Sequence, residues 1–246
     1  MKLTKNIALV GSGNNGLCIS NGYDCNVYVV DTGDGLIMID AGSAIDSEVI
    51  EREMEKCNYH AKDLRYIVIT HAHADHVAGV PYFLEKSGAK VVSCQFEADV
   101  LSNKSLLDST MDEYIKAGFY PAGYSFPTIA TDIILSEGEV FSCGNVSMSA
   151  IIAPGHSGGC LCLYGDIDGR KTLFSGDVVF FNGMINLISI FDADLLKYKQ
   201  SIFKLEKLDI TTLLPGHLQP IMCRGNEHIK KAADAFRNFS VPRSIC

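Results

Sequence analysis

Three of the chain's seven histidines fall inside one six-residue run, His71-Ala72-His73-Ala74-Asp75-His76. A neutral imidazole offers a ring-nitrogen lone pair and an ionised carboxylate offers oxygens. The run therefore carries the donors zinc prefers, with iron or manganese as alternatives. In an extended or turning segment, side chains two positions apart point the same way, so His71 and His73 can reach one ion. Asp75 and His76, one turn further on, face a neighbouring position. Four ligands do not complete two sites, and further donors occur downstream. His156 lies in the segment 153–159, Asp177 follows Ser175 and Gly176, and His217 follows Pro215 and Gly216. Each comes just after a predicted strand and beside glycine, which lets the chain turn sharply and approach closely. The whole set is read as a site for two divalent ions, with zinc favoured. His60 and His228 read instead as polar residues on or beside helices.

The elements that must carry these donors follow from the apolar patterning. Strands are predicted at residues 6–10, 25–31, 35–41, 65–70 and 90–94, each bounded by Gly, Asn, Asp or a histidine. Helices are predicted at 47–57 and from His76 to Lys86, the latter kinked or restarted at Pro81. The second half adds strands at 132–135, 139–141, 145–152, 160–164, 171–175 and 211–214, with helices at 194–208 and 227–238. Clustered strands with interspersed helices imply an α/β sandwich. No Pro/Gly/Ser-rich linker divides the chain, so one domain over 1–246 is expected. Residues 65–71 and 210–217 are both short apolar runs ending in histidine, a faint internal echo.

The motifs HAHADH at 71–76, APGH at 153–156, SGD at 175–177 and LPGH at 214–217, in that order, closely resemble the metallo-β-lactamase superfamily. The resemblance runs from about Cys25 to His217 and implies a four-layer αββα sandwich with a binuclear site at one edge between two sheets. It implies that His71, His73 and His156 hold one metal, that Asp75, His76 and His217 hold the second, and that Asp177 bridges them. Asp40 matches the acidic residue that supports the metal loops in this family; Thr70 and Ser157 are candidates for similar hydrogen-bonded support. The chemistry implied is attack by a metal-bridging hydroxide, with Asp75 as the catalytic residue that orients it and passes a proton to the leaving group.

Departures within the family narrow the substrate. Asp177 stands where the best-known class B β-lactamases carry Cys, and His73 where flavodiiron proteins carry Glu. Phe180 stands where quorum-quenching lactonases place a tyrosine. Glyoxalase II adds a helical C-terminal domain, and the stretch after His217 suffices for about one helix. A hydrolase of a small thioester, lactone or ester is the leading expectation. An iron-dependent oxygenase of the persulfide type, a phosphodiesterase and a non-catalytic metal-binding module are the rivals. An aromatic group (Tyr114, Phe119, Tyr120, Tyr124 and Phe126) and a second apolar group (Phe180, Phe181 and Met184) suggest a substrate pocket or lid, with core packing or a dimer contact as the alternative. Tyr120, Phe180 and Phe181 are its principal candidates.

Composition bounds the remaining classes. With 21 Lys and Arg against 29 Asp and Glu, the net charge is −8, which disfavours a nucleic-acid partner. No apolar run approaches the roughly 20 residues of a membrane span, and residues 7–10 are too short for an export signal. The expectation is a cytoplasmic protein acting on a small molecule, with no membrane partner and homo-oligomerisation left open. Nine cysteines without a regular framework suit reduced thiols; Cys160 and Cys162, two apart, share a buried face. The glycines of 11–16 fit a nucleotide-binding fingerprint, but Asn21-Gly22 interrupts the helix that should follow, so a loop is expected.

Overall fold

Alternation along the strands decides the layering. The computed structural model describes residues 1–188 and 191–245; Cys246, one of the nine cysteines, lies outside them. The first sheet contains β1 (Ile7–Gly11), β2 (Val27–Asp31), β3 (Leu36–Ile39), β4 (Leu64–Val68), β5 (Lys90–Ser93) and β6 (Ile133–Ile134), in that spatial order. β1 to β3 pair antiparallel, and β3 to β6 pair parallel. The second sheet, from β7 (Val140–Cys143), β8 (Val146–Ile152), β9 (Leu161–Ile167), β10 (Arg170–Gly176) and β11 (Thr212–Pro215), runs in reverse order. Its strands are antiparallel except for the β10/β11 pair.

Both faces of each sheet are covered. Ile7, Leu9, Val30, Ile37 and Val68 of the first sheet meet Met148, Leu163, Phe174 and Leu214 of the second in a shared central core. The intervening positions Ala8, Val10, Val29, Met38 and Ile67 face outward. There they pack against α1 (Ser47–Lys56), α2 (Ala74–Val77), α3 (Val80–Ser87), α4 (Gln95–Ser102) and α5 (Lys104–Lys116). Leu173 and Leu213 of the second sheet face α6 (Leu195–Leu205) and α7 (Gly225–Arg237). The period-2 alternation thus builds helix, sheet, sheet, helix, the expected αββα order.

Several elements differ from expectation in instructive ways. The predicted helix from His76 to Lys86 is two helices, with Pro81 near the start of the second. A proline lacks the N–H that the first turn does not use anyway, so it starts α3 instead of kinking it. α4 and α5 are additional to the predicted elements. Residues 12–24 form a loop closed by Gly13 N–H to Asp24 O and Asn14 N–H to Gly22 O, and no helix follows the glycines. Cys160 and Cys162 are both buried against α6 and α7. The eight described cysteines are free thiols. Among the described residues no helix is long and apolar enough to cross a membrane.

Candidate metal centre

The seven predicted donors come from four loops and the short helix α2 at one edge of the two sheets. His71 and His73 follow β4, Asp75 and His76 lie in α2, His156 follows β8, Asp177 follows β10 and His217 follows β11. All seven gather there. Two closely spaced groups form, one of His71, His73 and His156 and one of Asp75, His76 and His217, and Asp177 clusters with His71 and His76.

The first group shows what the donors require. His71 Nε2 lies 3.0 Å from His73 Nδ1 and 3.2 Å from His156 Nε2, and His156 Nε2 lies 2.9 Å from His73 Nδ1. The outward nitrogens are spoken for. His156 Nδ1 donates to the Asn186 carbonyl at 2.6 Å. Thr70 gives its hydroxyl proton to Asp40 Oδ2, so the 3.0 Å contact from His71 Nδ1 is a donation to Thr70 Oγ1. Both rings therefore turn lone pairs inward, and the His71–His156 contact sets lone pair against lone pair. A proton on His73 Nδ1 could relieve only one of the other contacts; its Nε2 faces the Tyr114 hydroxyl at 3.1 Å. Burial and the neighbouring imidazoles hold His71 and His73 well below the usual histidine range, and burial lowers His156. Converging neutral lone pairs are what a bound cation relieves.

The second group alternates in charge. His217 Nε2 lies 3.1 Å from Asp75 Oδ2 and 3.4 Å from Asp177 Oδ2, and His76 Nε2 lies 3.5 Å from Asp177 Oδ1. His76 Nε2 and Asp177 Oδ1 are buried without a hydrogen-bond partner. Burial disfavours charge on His76, but Asp75, Asp177 and Asp40 overcome it and push its pKa up to about 9. His217 is raised well above its ordinary range against the same burial, chiefly by Asp177. Asp75 and Asp177 are lowered despite burial, Asp75 chiefly by His76 and Asp177 chiefly by His217. The orphaned atoms and donor types fit a divalent cation in both groups.

Buried hydrogen bonds hold the ligands. Asp40, with a left-handed φ of 58°, accepts from Thr70 N and Thr70 Oγ1 and from His76 Nδ1, each at 2.8 Å. One carboxylate thus orients His76 directly and His71 through Thr70, and backbone strain is tolerated to place it. Among the described residues the Ser157 hydroxyl makes no hydrogen bond to a candidate ligand; it donates to Glu97 at 2.6 Å. Sequence reasoning missed Asn186, whose Nδ2 donates to Asp177 Oδ2 at 2.9 Å while its carbonyl accepts from His156. It missed Glu97 as well. Neither residue sits in a motif; only folding brings them to the metal loops. Gly216 has a steric role, since a Cβ there would lie 2.2 Å from Asp177 Oδ1.

Above the donors opens a cleft of about 120 Å³ lined by Tyr23, Tyr114, Phe119, Tyr120, Ile188 and Ile245 beside His73, Asp75 and His217. Tyr120 donates its hydroxyl to Asp75 Oδ1 at 2.7 Å and stacks on Tyr124. The pocket expectation needs correction for the other two candidates. Phe180 is fully buried, its ring 6.3 Å from that of His217, and does not reach the cleft. Phe181 packs on His228 of α7, 5.0 Å between ring centroids. The left-handed Asn182 in the turn Phe181–Gly183 directs the chain towards α7, where Asn182 N–H donates to His228 Nδ1. A wider groove at the N-terminal ends of β4 and β5, lined by Asp31, Asp63, Arg65 and Lys90, contains none of the candidate ligands.

The model of the metallo-β-lactamase superfamily matches residues 20–217. The chain belongs to that superfamily and is a metallohydrolase. It is 25% identical over 222 residues to the probable metallo-hydrolase YqjP of Bacillus subtilis, covering 80% of this chain and 68% of that one. It is 29% identical over 189 residues to the acyl-coenzyme A thioesterase MBLAC2 of Gallus gallus, covering 73% of this chain and 63% of the relative. A solved subclass B3 metallo-β-lactamase of Bradyrhizobium japonicum superposes with a TM-score of 0.72 at 23% identity, over 97% of this chain and 91% of that one. That likeness is one of fold.

Proposed function

We propose that this metallohydrolase cleaves a small thioester whose reacting end is uncharged, with two divalent ions, zinc favoured, as its cofactors. The inward-facing lone pairs of His71, His73 and His156 beside an aromatic cleft carry the reading. Those three residues would hold one ion, Asp75, His76 and His217 the other, and Asp177 both. Ions held there would polarise a carbonyl oxygen and lower the pKa of water towards neutrality.

The chain's own groups supply the rest. Asp75 is kept as a carboxylate and its Oδ1 is held by Tyr120, so Oδ2 is directed at the donors, where it can orient water, take up the proton the water loses and pass it to the leaving thiolate. Tyr23, Tyr114 and Phe119 present an apolar wall for an acyl group. Among the described residues lining the cleft none is Lys or Arg. Substrates that need a cation to hold a carboxylate or phosphate near the reacting bond, as β-lactams and phosphodiesters do, are therefore less well matched than a neutral acyl thioester. The similarity to an acyl-coenzyme A thioesterase supports the same choice.

The test is turnover by metal-replete protein on an acyl thioester, an aliphatic lactone, a β-lactam and a phosphodiester, each repeated with Asp75→Asn. Thioester hydrolysis that collapses in the variant is the expected result. Turnover confined to one of the other substrates would overturn the substrate assignment. Silence throughout, with oxygen uptake by iron-loaded protein, would replace hydrolysis with oxygenation.

A further inference from the structure

Glu97 stands outside the seven donors, in the first turn of α4, and is 1% exposed. Its Oε2 accepts from the backbone N–H of Ala72 at 2.8 Å, the residue between His71 and His73. Its Oε1 accepts from Ser157 Oγ at 2.6 Å, from Gly159 N at 2.9 Å and from Cys160 N at 3.0 Å. Ser157 directly follows His156. The two loops whose imidazoles converge are therefore tied to opposite oxygens of one buried carboxylate. The surrounding backbone is built closely around it, since a Cβ on Gly159 would lie 2.6 Å from Oε1.

The cost of burying a carboxylate makes this arrangement informative. An ionised carboxyl only accepts hydrogen bonds, and four donors from two separate loops satisfy it here. An apolar residue could pack between the loops, but it would not fix their separation to a few tenths of an ångström as directional, charge-assisted bonds do. His71, His73 and His156 must hold their inward nitrogens about 3 Å apart to bind one ion, and a shift of either loop separates them.

We infer that Glu97 is a positioning residue for the three-histidine half of the site, setting the distance between its two loops and so the affinity of that half for its ion. The inference rests on the metal-site reading under Proposed function and adds a determinant that no ligand motif contains. Glu97→Gln isolates it. The amide keeps the size and can still accept from the 157–160 loop, but its NH₂ then faces the Ala72 N–H, donor against donor.

Zinc is titrated into metal-free protein against a chromophoric chelator, and the step missing in His156→Ala identifies the three-histidine half. In Glu97→Gln that step weakens about 10–100-fold, the range for lost ligand-supporting partners, while the other step is nearly unchanged. Cobalt uptake shows the same selectivity in its visible absorption. Both steps unchanged, or both weakened alike together with a lower melting temperature of the metal-free protein, would overturn the inference in favour of a purely structural role. If Glu97→Gln does not fold, Ser157→Ala removes one of the four donors, and selective weakening of the same step is expected; no selectivity there overturns it equally. Wild-type protein that takes up no zinc would sink the metal-site reading and this inference together. Wild-type protein that takes up two ions alongside an unaltered variant would sink this inference alone.

Discussion

At the scale of single residues, the centre is organised by hydrogen bonds to the outward atoms of His71, His73, Asp75, His76 and His156. Tyr120 is the clearest case at the cleft, because its hydroxyl binds Asp75 Oδ1. A hydrogen bond to a charged group contributes roughly 1.5–3 kcal/mol, and about 1.4 kcal/mol is a factor of ten in rate. Tyr120→Phe is therefore expected to lower kcat about 10–100-fold with metal content intact; an unchanged kcat would remove Tyr120 from the machinery. Gly216→Ala places a Cβ 2.2 Å from Asp177 Oδ1 and 2.7 Å from His76 Cε1. Overpacking of this kind costs ~1–3 kcal/mol, and it falls on two donors, Asp177 and His76. Metal analysis should show less than full loading, and full loading with wild-type stability would contradict the steric account.

At the scale of elements, positions at helix starts decide what the loops can do. Asp194 Oδ1 accepts from Leu196 N at 2.9 Å and Lys197 N at 3.0 Å, capping α6, and its own N–H donates to Gly155 O beside His156. Removing such a cap costs about 1 kcal/mol, equivalent to ~2–4 °C in a chain of this size. Asp194→Ala should therefore lower the melting temperature by that amount while leaving zinc stoichiometry alone. A change in stoichiometry would mean that the cap also holds the His156 loop. α5 is the element that most changes the cleft. It brings Tyr114 to His73; Leu107, Met111 and Tyr114 stand at helical spacing, but the Gly, Pro and aromatic residues of 118–126 that follow directly read as loop and obscure that short pattern.

For the whole molecule, folding concentrates donors that repel or orphan one another unless a cation or protons intervene. Removing metal with a chelator should lower the melting temperature, and restoring zinc should recover it, by mass action on the native state. The pH dependence follows from His76 and His217, both raised above an unfolded value near 6.5. A histidine raised in the folded state contributes stability that is complete below the unfolded pKa and is lost as pH rises through the folded one. Asp75 and Asp177, being lowered, contribute constantly above the carboxylate range. His71, His73 and His156, also lowered, cease to matter above about 6.5. Metal-free protein should thus lose stability between pH 6.5 and about 9, while zinc affinity rises because His76 no longer has a proton to displace. Melting curves of chelated and zinc-loaded protein across that window would show the two trends diverging; parallel trends would refute the coupling.

The donor set was legible because metal chemistry restricts ligands to a few residue types: His and Asp recur at tight spacing while the cysteines are scattered, and glycine at 155, 176 and 216 marked the turns that present the donors. The sandwich was legible for a similar reason, since buried strands such as Ile7–Gly11 must alternate between two cores. What only the tertiary structure decided are contacts between segments distant in sequence that no local pattern requires. Glu97 ties Ala72 to 157–160, and Asn186 joins His156 to Asp177. Phe180 and Phe181 turn away from the cleft that Tyr23 and Ile245 help to line. A ligand announces itself by its chemistry, whereas a supporting hydrogen bond can come from any polar residue that folding carries within about 3 Å, and a cleft wall from any apolar one.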